Sequence, residues 1–495
     1  MEVELKFQVP AASRAAVLRA LATPSASRLR LRAVYADTAD QRLAQAGLAL
    51  RLRQEGRRWV QTLKGRGDGL MQRLEHEVPL PRAPRPLLPT PALHASHPAG
   101  ARLLEVLGEA VGEAPLIERF GTDIQRVARL LRVPGASVEV AFDVGQLHAG
   151  KRRAAVCELE FELKSGTPAA LLALAARWVH RHGLWLDVRS KAEAGQRLAD
   201  GLSSVPPTTA SRPALQREQT PAEAFGQVLQ ACLAHLLPNQ AELATPGLPD
   251  AARQLHLHQW RVAARRLRSA LKALGRWSAQ PELAQALERR WAEAFAATSA
   301  ARDADVAARL LAEPLREAGL ALPATEALPA HDPVWFSAPT LTLLVLDTMA
   351  LAWARPAEAP AAAAETPTLR VAARSQWRRL LKPLRQPIDG FAKLSVEERH
   401  RLRKRLKRLR YVAEFLAPVL PARDFDKVLL RLRRALDDLG QLNDTVVAQT
   451  LVQGWPDSPA AWFARGWLQA RLPQVQARAE ASIGRLGCLR RLGAR

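Results

Sequence analysis

Glu2, Glu4 and Lys6 alternate with Val3, Leu5 and Phe7 at the start of the chain. Successive side chains of an extended strand point to opposite faces, so two carboxylates and one ammonium group share a side. Carboxylates at this spacing can share a hard divalent cation, and a lysine beside them can hold an anion bound to that cation. One such strand also describes an ordinary solvated face. Repetition gives the pattern its meaning. Leu50-Arg51-Leu52-Arg53 sets two arginines on one face, and the run from Trp59 ends in Lys64. Arg73, Glu75 and Glu77 alternate with Leu74, His76 and Val78. A run from Val138 ends in Asp143, and Glu158, Glu160 and Glu162 oppose Leu159, Phe161 and Leu163.

These runs must be strands, because each has an apolar face and a charged face at period two. An ordinary half-buried sheet would mix Thr, Ser, Gln and Lys on its wet side. Here the polar positions are almost all Glu, Arg and Lys. The pattern points to a closed barrel with its charged faces inward and helices packed outside. Its lumen would take a multiply anionic ligand together with a metal ion.

The ordered set of motifs resembles the CYTH-type triphosphate tunnel enzymes. The run from Glu2 to Phe7 matches their ExExK signature, and Tyr35-Ala36-Asp37-Thr38 matches a YxDT strand with Ala36 in place of a common aromatic. The segments around Lys64, Glu75–Glu77, Asp143, Glu158–Glu162 and Ser190–Gly195 follow in the family's order. The resemblance covers roughly residues 1–200. It implies an α+β chain whose N-terminal part is a closed antiparallel eight-stranded β tunnel with outer helices. It implies Mg²⁺ or Mn²⁺ as cofactor, with Glu2, Glu4, Glu158 and Glu160 facing the metal and Asp143 a lumen aspartate that serves a second metal or its water. Lys6, Arg51, Arg53, Lys64, Arg73, Arg119 and Lys191 would hold phosphates, although the stretch carrying Arg119 also offers Arg126. Glu4, Lys6, Lys64, Glu75 and Glu77 are the expected catalytic set, with Glu75 and Glu77 orienting water or lysines.

At 495 residues the chain is long enough for two or three domains. Its formal net charge of +24 is shared by both parts, so both are expected to meet anions. Cys157, Cys232 and Cys488 show no metal-ligand spacing and no disulfide framework, which fits a reducing compartment. The chain opens on a strand without a basic-then-apolar leader, and a cytoplasmic protein is expected. Trp335 to Trp353 is the most apolar long stretch, but Pro339 and Asp347 within it point to a buried helix, and no membrane partner is expected.

The expected division is a tunnel domain at 1–202, a linker at 203–217 and a helical domain at 218–495. After Pro213 strand signals vanish, and Ala/Leu/Arg-rich helical segments follow. This part repeats, with copies at about 218–356 and 368–495. His258, Arg261, Arg265 and Arg268 align with His400, Arg403, Lys407 and Arg410. At about 100° per residue each set forms one stripe of a helix. The opposite stripes are Trp260, Ala264, Leu267, Leu271 and Leu274, and Leu402, Leu406, Leu409, Ala413 and Leu416. Burying those leaves two cation rows roughly 15 Å long, suited to a linear polyanion. The two copies, with Arg302-Asp303 and Asn443-Asp444 trailing them, resemble the CHAD domain. That resemblance implies two pseudo-symmetric helical bundles binding long-chain inorganic polyphosphate through those eight residues.

The combined expectation is hydrolysis of inorganic triphosphate, with polyphosphate bound by the helical domain. Thiamine or nucleoside triphosphate hydrolysis, or adenylate cyclisation, needs the same carboxylates and cations and stays open. So does a non-catalytic polyphosphate or nucleic-acid binder. Few aromatics stand beside the cations, which argues against nucleic acid.

Overall fold

The computed structural model describes residues 2–67, 69, 71–108, 115–298, 300–322, 333–354, 367–420 and 422–489. The first part runs β1 (Glu2–Gln8), α1 (Arg14–Leu21), β2 (Ser27–Asp37), α2 (Arg42–Gln45), β3 (Leu48–Glu55), β4 (Arg58–Arg66) and β5 (Gln72–Leu80). It continues through α3 (Pro98–Leu107), β6 (Ile117–Val133), β7 (Ala136–Ala149), β8 (Arg152–Gly166), α4 (Pro168–His182), β9 (Trp185–Leu186) and α5 (Lys191–Asp200). The helical part holds α6 (Pro221–Leu243), α7 (Asp250–Leu274), α8 (Pro281–Ala297), α9 (Ala300–Glu317), α10 (Pro333–Phe336) and α11 (Pro339–Trp353). It ends with α12 (Leu369–Leu381), α13 (Arg385–Asp389), α14 (Val396–Leu416), α15 (Ala422–Gln453) and α16 (Pro459–Gly484). The chain is therefore α+β, an antiparallel sheet followed by helices.

The sheet has nine strands in the order β5-β4-β3-β2-β6-β7-β8-β1-β9, one more than the eight expected. The extra strand is the two-residue β9, which pairs with β1 at Phe7–Leu186 and Gln8–Trp185. At its other end β1 meets β5 over only two residue pairs, Glu2–Arg73 and Val3–Gln72. The expected tunnel closure is thus a short edge contact rather than a continuous ladder.

Alternation along the strands sorts the side chains as read. Phe7 and Phe161 meet edge to face at 5.5 Å, and Phe161 meets Trp178 of α4 at 5.8 Å. Thr167 caps α4 by accepting from Ala170, and Gly183 ends it at φ 66°, a left-handed conformation that glycine adopts without a β-carbon clash. Leu171, Leu172, Ala175 and Val179 bury that helix on the sheet's outer face. The charged face of β1 and β8 is thereby left to the concave side.

The concave face is not charged throughout, contrary to expectation. Leu31, Ile124, Leu147 and Val156 form an apolar patch on it, packed against Ala194 and Leu198 of α5. Beside it Tyr35 stacks on Phe120 at 4.5 Å. A β-carbon on Gly195 would run into the Phe120 ring, so glycine lets α5 come this close. Helix α5 therefore covers part of the apolar half of the concavity, while the charged half and the remaining apolar wall border open space.

Outside the sheet, Gln61 of β4 grips the proline-rich loop. Its Oε1 accepts from Thr90 N (2.7 Å), so its amide nitrogen donates to Thr90 O (2.8 Å) and His94 Nε2 (3.0 Å). His94 Nε2 is then an acceptor, and His94 Nδ1 carries the proton it donates to His76 Nδ1 at 2.9 Å. Burial, together with neighbouring His76 and His97, pushes the fully buried His94 down to about 4. An unfolded histidine titrates near 6.5, so the folded state binds fewer protons between those values. Stability is complete above about pH 6.5 and falls as pH drops towards 4, by up to about 3 kcal/mol. Between pH 6.5 and 5 the His94 contribution should lower the melting midpoint of wild type, while protonation of Glu2, raised above the usual carboxylate range, acts in the opposite direction. The His94→Gln variant should fall much less over that window, and equal slopes would rule out this histidine as the cause.

Contacts divide the chain into two compact units. One comprises residues 1–209, 233–260 and 333–353, and the other 210–232, 261–332 and 354–495. In the first, α11 packs along α4. It buries Leu341, Leu344, Val345, Leu346 and Met349, as expected for the apolar stretch, although its length and composition would also suit a membrane span. In the second, both apolar stripes are buried from Leu267 to Leu274 and from Leu402 to Leu416. The Ala357–Pro367 segment lies almost wholly outside the described residues, as do the side chains of Arg302 and Asp303.

Candidate active site

The charged half of the concave face borders a cavity of about 590 Å³. Glu2, Glu4, Lys6, Arg51, Arg53, Lys64, Glu75, Glu77, Arg119, Asp143, Glu160 and Lys191 all line it. Arg73 occupies β5 as expected, but its side chain lies outside the described residues.

Register divides the five expected metal-facing acids into two levels. Glu4 stands opposite Glu162, Lys6 opposite Glu160, and Gln8 opposite Glu158. Glu158 is therefore four residues along from the Glu4 level, or roughly 13 Å at the usual strand rise. At the deep level β7 sets Asp143 opposite Glu158 and Ala141 opposite Glu160. Carboxylate oxygens of Asp143, Glu158 and Glu160 lie within 4.8 Å of one another. Glu2 and Glu4 are not part of that group.

Three cations neutralise the deep acids. Lys191 Nζ stands 2.8 Å from Asp143 and 2.7 Å from Glu160, and also pairs with Glu158. Arg126 forks onto Asp143 with two bonds of 2.7 Å and reaches Glu160 at 2.5 Å. Lys6 pairs with Glu158 at 3.0 Å. Burial alone would lower the pKa values of Lys191 and Arg126, but the acids around them hold both well above their usual values. Burial alone would raise Glu160, and Lys191 and Arg126 hold it well below. Charge is thus fixed at this level despite its burial.

The outer level is different. Lys64 pairs with Glu75 and stands 4.0 Å from Glu2. Arg51 reaches Glu75 at 3.6 Å and donates to the Tyr35 hydroxyl at 3.4 Å. Arg53 donates to Glu77 at 3.1 Å. Burial raises Glu2 above the usual carboxylate range, reinforced by a hydrogen bond and like charge from Glu75. Burial acts the same way on Glu75, but Lys64, the bond from Glu2 and Arg51 keep it low. Glu2 and Glu75 therefore share one proton, with Glu2 its owner. Two carboxylates held together by a proton line the same cavity as Glu4 and Glu162, although among the described residues only Asp143, Glu158 and Glu160 bring their oxygens within 4.8 Å of one another. Carboxylate oxygens are the donors a hard divalent cation takes.

Arg119 pairs with Asp200 of α5 at 2.7 Å, whereas Arg126 reaches the acids. Arg126 was legible by parity as a cavity-facing residue, since it shares a strand face with Thr122 and Ile124 and pairs in register with Asp143. Tyr35 and Arg189 gave no charge-pattern signal of their own.

In the helical part, the first cation row is less open than its stripe implies. Arg261 is buried, lies 4.2 Å over the Phe295 ring and donates to Thr298. Arg265 and Arg268 flank the same ring at 5.9 and 5.7 Å, and Arg268 pairs with Glu288 at 3.0 Å. His258 is exposed. In the second row His400 is exposed and bonds Asn443 of α15, while Arg403 and Lys407 are half-buried. Burial and the neighbouring cations hold His400 below its usual value. Arg410 bonds Glu414 at 3.0 Å. Sequence reasoning missed Glu414, which sits one turn past the row on the same helix.

Two family matches cover most of the chain: the CYTH domain over residues 1–194 and the CHAD domain over residues 227–453. An inorganic triphosphatase of Haemophilus influenzae is 31% identical over 168 residues, which are 33% of this chain and 44% of that protein. The match thus spans less than half of that relative's length. The CHAD domain of Ricinus communis is 26% identical, with 56% of this chain and 96% of that one covered at a TM-score of 0.40. A Hippeastrum protein, a candidate adenylyl cyclase with a dominant triphosphatase activity, is 18% identical. That match covers 42% of this chain and 98% of the other at a TM-score of 0.31.

Proposed function

Because the chain carries a CYTH domain followed by a CHAD domain, we propose that it is a metal-dependent inorganic triphosphatase with an appended polyphosphate-binding module. One observation supports this most: cations and acids converge on the same walls of one cavity. A short condensed phosphate needs its charges neutralised and its phosphates aligned more than it needs covalent help. Arg51 and Arg53 from β3, Lys64 from β4 and Lys6 from β1 present cations to successive phosphates, and the sequence reading adds Arg73 to them. Arg126, Arg119 and Lys191 extend that lining. The arginine forks suit pairs of phosphate oxygens.

Glu2, Glu4 and Glu162 would hold the outer cation, with Glu75 completing the set. Asp143, Glu158 and Glu160 offer a second group wherever Lys191 gives way. Mg²⁺ or Mn²⁺, when bound, supplies Lewis-acid polarisation of phosphate oxygens and a counter-charge. Glu75 and Glu77 orient water in this reading, and Lys64, held between Glu2 and Glu75, contacts the phosphate whose bond breaks. The sheet then acts as a tunnel whose β1–β5 edge contact completes the wall.

The helical module binds long polyphosphate through His258, Arg265, Arg268, His400, Arg403, Lys407 and Arg410, with Arg261 as a buried support. Boundaries at 1–202, 203–217 and 218–495, with repeats near 218–356 and 368–495, belong to the same reading. So does a cytoplasmic location, which the free, buried Cys157 and Cys232 suit.

A second reading within the same fold has its own support. Leu29, Leu31, Leu48 and Ala128 give the cavity an apolar wall that a nucleoside or thiazole could touch. Turnover of tripolyphosphate, ATP and thiamine triphosphate by the full chain, each with Mg²⁺ and with Mn²⁺, separates the two. Tripolyphosphate should give the highest kcat/KM, by at least about tenfold, because every bound group is then a phosphate. ATP or thiamine triphosphate turned over faster would favour the second reading. No turnover of any of the three would rule out both.

A further inference from the structure

We propose that Glu242, on a helix beyond the sheet, is a positioning residue of the triphosphate site, acting through Arg189 and Arg197 on Lys6 and Lys191. The proposal rests on the triphosphatase reading above. Glu242 lies in the 233–260 segment, which belongs to the same compact unit as the sheet. Its side chain is 2% exposed. One of its oxygens accepts from Arg189 Nη1 at 3.1 Å and from Arg197 Nη1 at 2.7 Å.

Both arginines belong to the segment that delivers Lys191. Arg189 is clamped by Asp187, which takes its backbone N–H (3.0 Å), its Nε (3.0 Å) and its Nη2 (2.8 Å). Thr245, three residues after Glu242, takes Nη1 at 2.9 Å. The carbonyl oxygen of Arg189 accepts from Lys6 Nζ, the signature lysine of β1. Ser190 then caps α5 through a reciprocal bond pair with Glu193, and Lys191 is the first residue of that helix. Arg197 lies nearly two turns further along the same helix.

One buried carboxylate therefore ties down both the residue that precedes α5 and its second turn. The tie fixes two things at once: the oxygen that holds Lys6, and the start of α5 from which Lys191 reaches Asp143 and Glu160. A neutral amide at 242 keeps an acceptor oxygen but gives up the charge facing two guanidinium groups. Arg197 then has no carboxylate partner among the described residues, and Arg189 keeps Asp187 as a carboxylate partner and Thr245 as a neutral one. Both ammonium groups stay in the cavity but lose their fixed placement, so the effect falls on phosphate capture before it falls on the chemical step.

A merely structural role for Glu242 would lower stability and leave the kinetics of the folded fraction unchanged. The full chain should be assayed with tripolyphosphate as wild type, Glu242→Gln and Thr245→Val, with melting midpoints taken in parallel. Glu242→Gln should raise KM about tenfold with kcat changed less than about threefold, the scale of one charge-assisted hydrogen bond. Thr245→Val removes one neutral acceptor from Arg189 and should raise KM about twofold to threefold. Wild-type KM and kcat in Glu242→Gln, whatever its melting midpoint, would overturn the proposal. Should Glu242→Gln fail to fold, an unchanged KM in Thr245→Val overturns it and a raised one supports it. A wild-type chain that does not turn over tripolyphosphate defeats the functional reading and this proposal together. Normal wild-type kinetics beside unaltered variants defeat this proposal alone.

Discussion

Glutamine at both Glu2 and Glu4 should cut kcat/KM for tripolyphosphate by at least about a thousandfold, the value of roughly 4 kcal/mol of transition-state stabilisation. The change keeps the size and strand preference of both side chains but leaves neither able to give a cation a negative oxygen. Its structural cost should be small. Glu2 already owns the proton it shares with Glu75, so a neutral group at position 2 matches the charge state the fold holds. Leu5 and Phe7 on the opposite face, which carry the packing of β1, are untouched. Loss of turnover should therefore come with a melting midpoint within a few degrees of wild type. Binding of long polyphosphate by the helical module should remain. Tripolyphosphate turnover and polyphosphate affinity measured on the same full-length variant check both halves. Retained turnover would mean that catalysis does not depend on these two carboxylates, and the outer cation position would have to be abandoned.

How much of this could be read from residues alone varies with the element. The face of β1 was legible because alternation is a backbone property, and Val3, Leu5 and Phe7 fix which side is buried. The same holds for Glu158, Glu160 and Glu162 opposite Leu159 and Phe161. Register was not legible. No local pattern says that Glu4 faces Glu162 while Glu158 lies deeper beside Asp143, since that depends on strand pairing far apart in sequence. For the same reason Glu2, Glu4, Glu158 and Glu160, read as facing one metal, became two levels. Arg126 could have been favoured over Arg119 by strand parity, but Phe120 and a register shift at Tyr35/Ala36 break the alternation between them. The apolar half of the concavity was missed because Leu29, Leu31 and Ala33 carry no charge and so add nothing to a charge pattern. Their partner, α5, follows more than 150 residues later. Glu242 carried no signal at all: a single acid in an apolar helix gains its role only from what packs against it.

The amphipathic stripes of α7 and α14 were legible down to single leucines, yet the destination of the arginines beside them was not, and Glu414 shows why. It is a buried acid on α14, bonded to Arg266 of α7 at 3.3 Å, Arg410 at 3.0 Å and Arg433 of α15 at 3.4 Å. Arg266 is itself buried and donates to Ser211 O at 2.9 Å. Replacing Glu414 with glutamine leaves Arg266 charged in a dry site without its counter-ion. Removal of one partner from a buried pair typically costs about 3–5 kcal/mol, and that is the destabilisation expected in denaturant unfolding of the full chain. The effect on binding should have the opposite sign. One negative charge beside Arg410 disappears, so the face proposed to meet polyphosphate gains one unit of net positive charge. Affinity for long polyphosphate should rise severalfold at low salt, and its dependence on log salt should steepen by about one ion. Stability lost with affinity gained would set Glu414 apart from a residue that simply holds the phosphate-binding surface in shape, whose loss lowers both. Affinity that falls in step with stability would show that Arg410 needs Glu414 in order to be placed at all. Affinity unchanged at every salt concentration would remove Arg410 from the polyphosphate row.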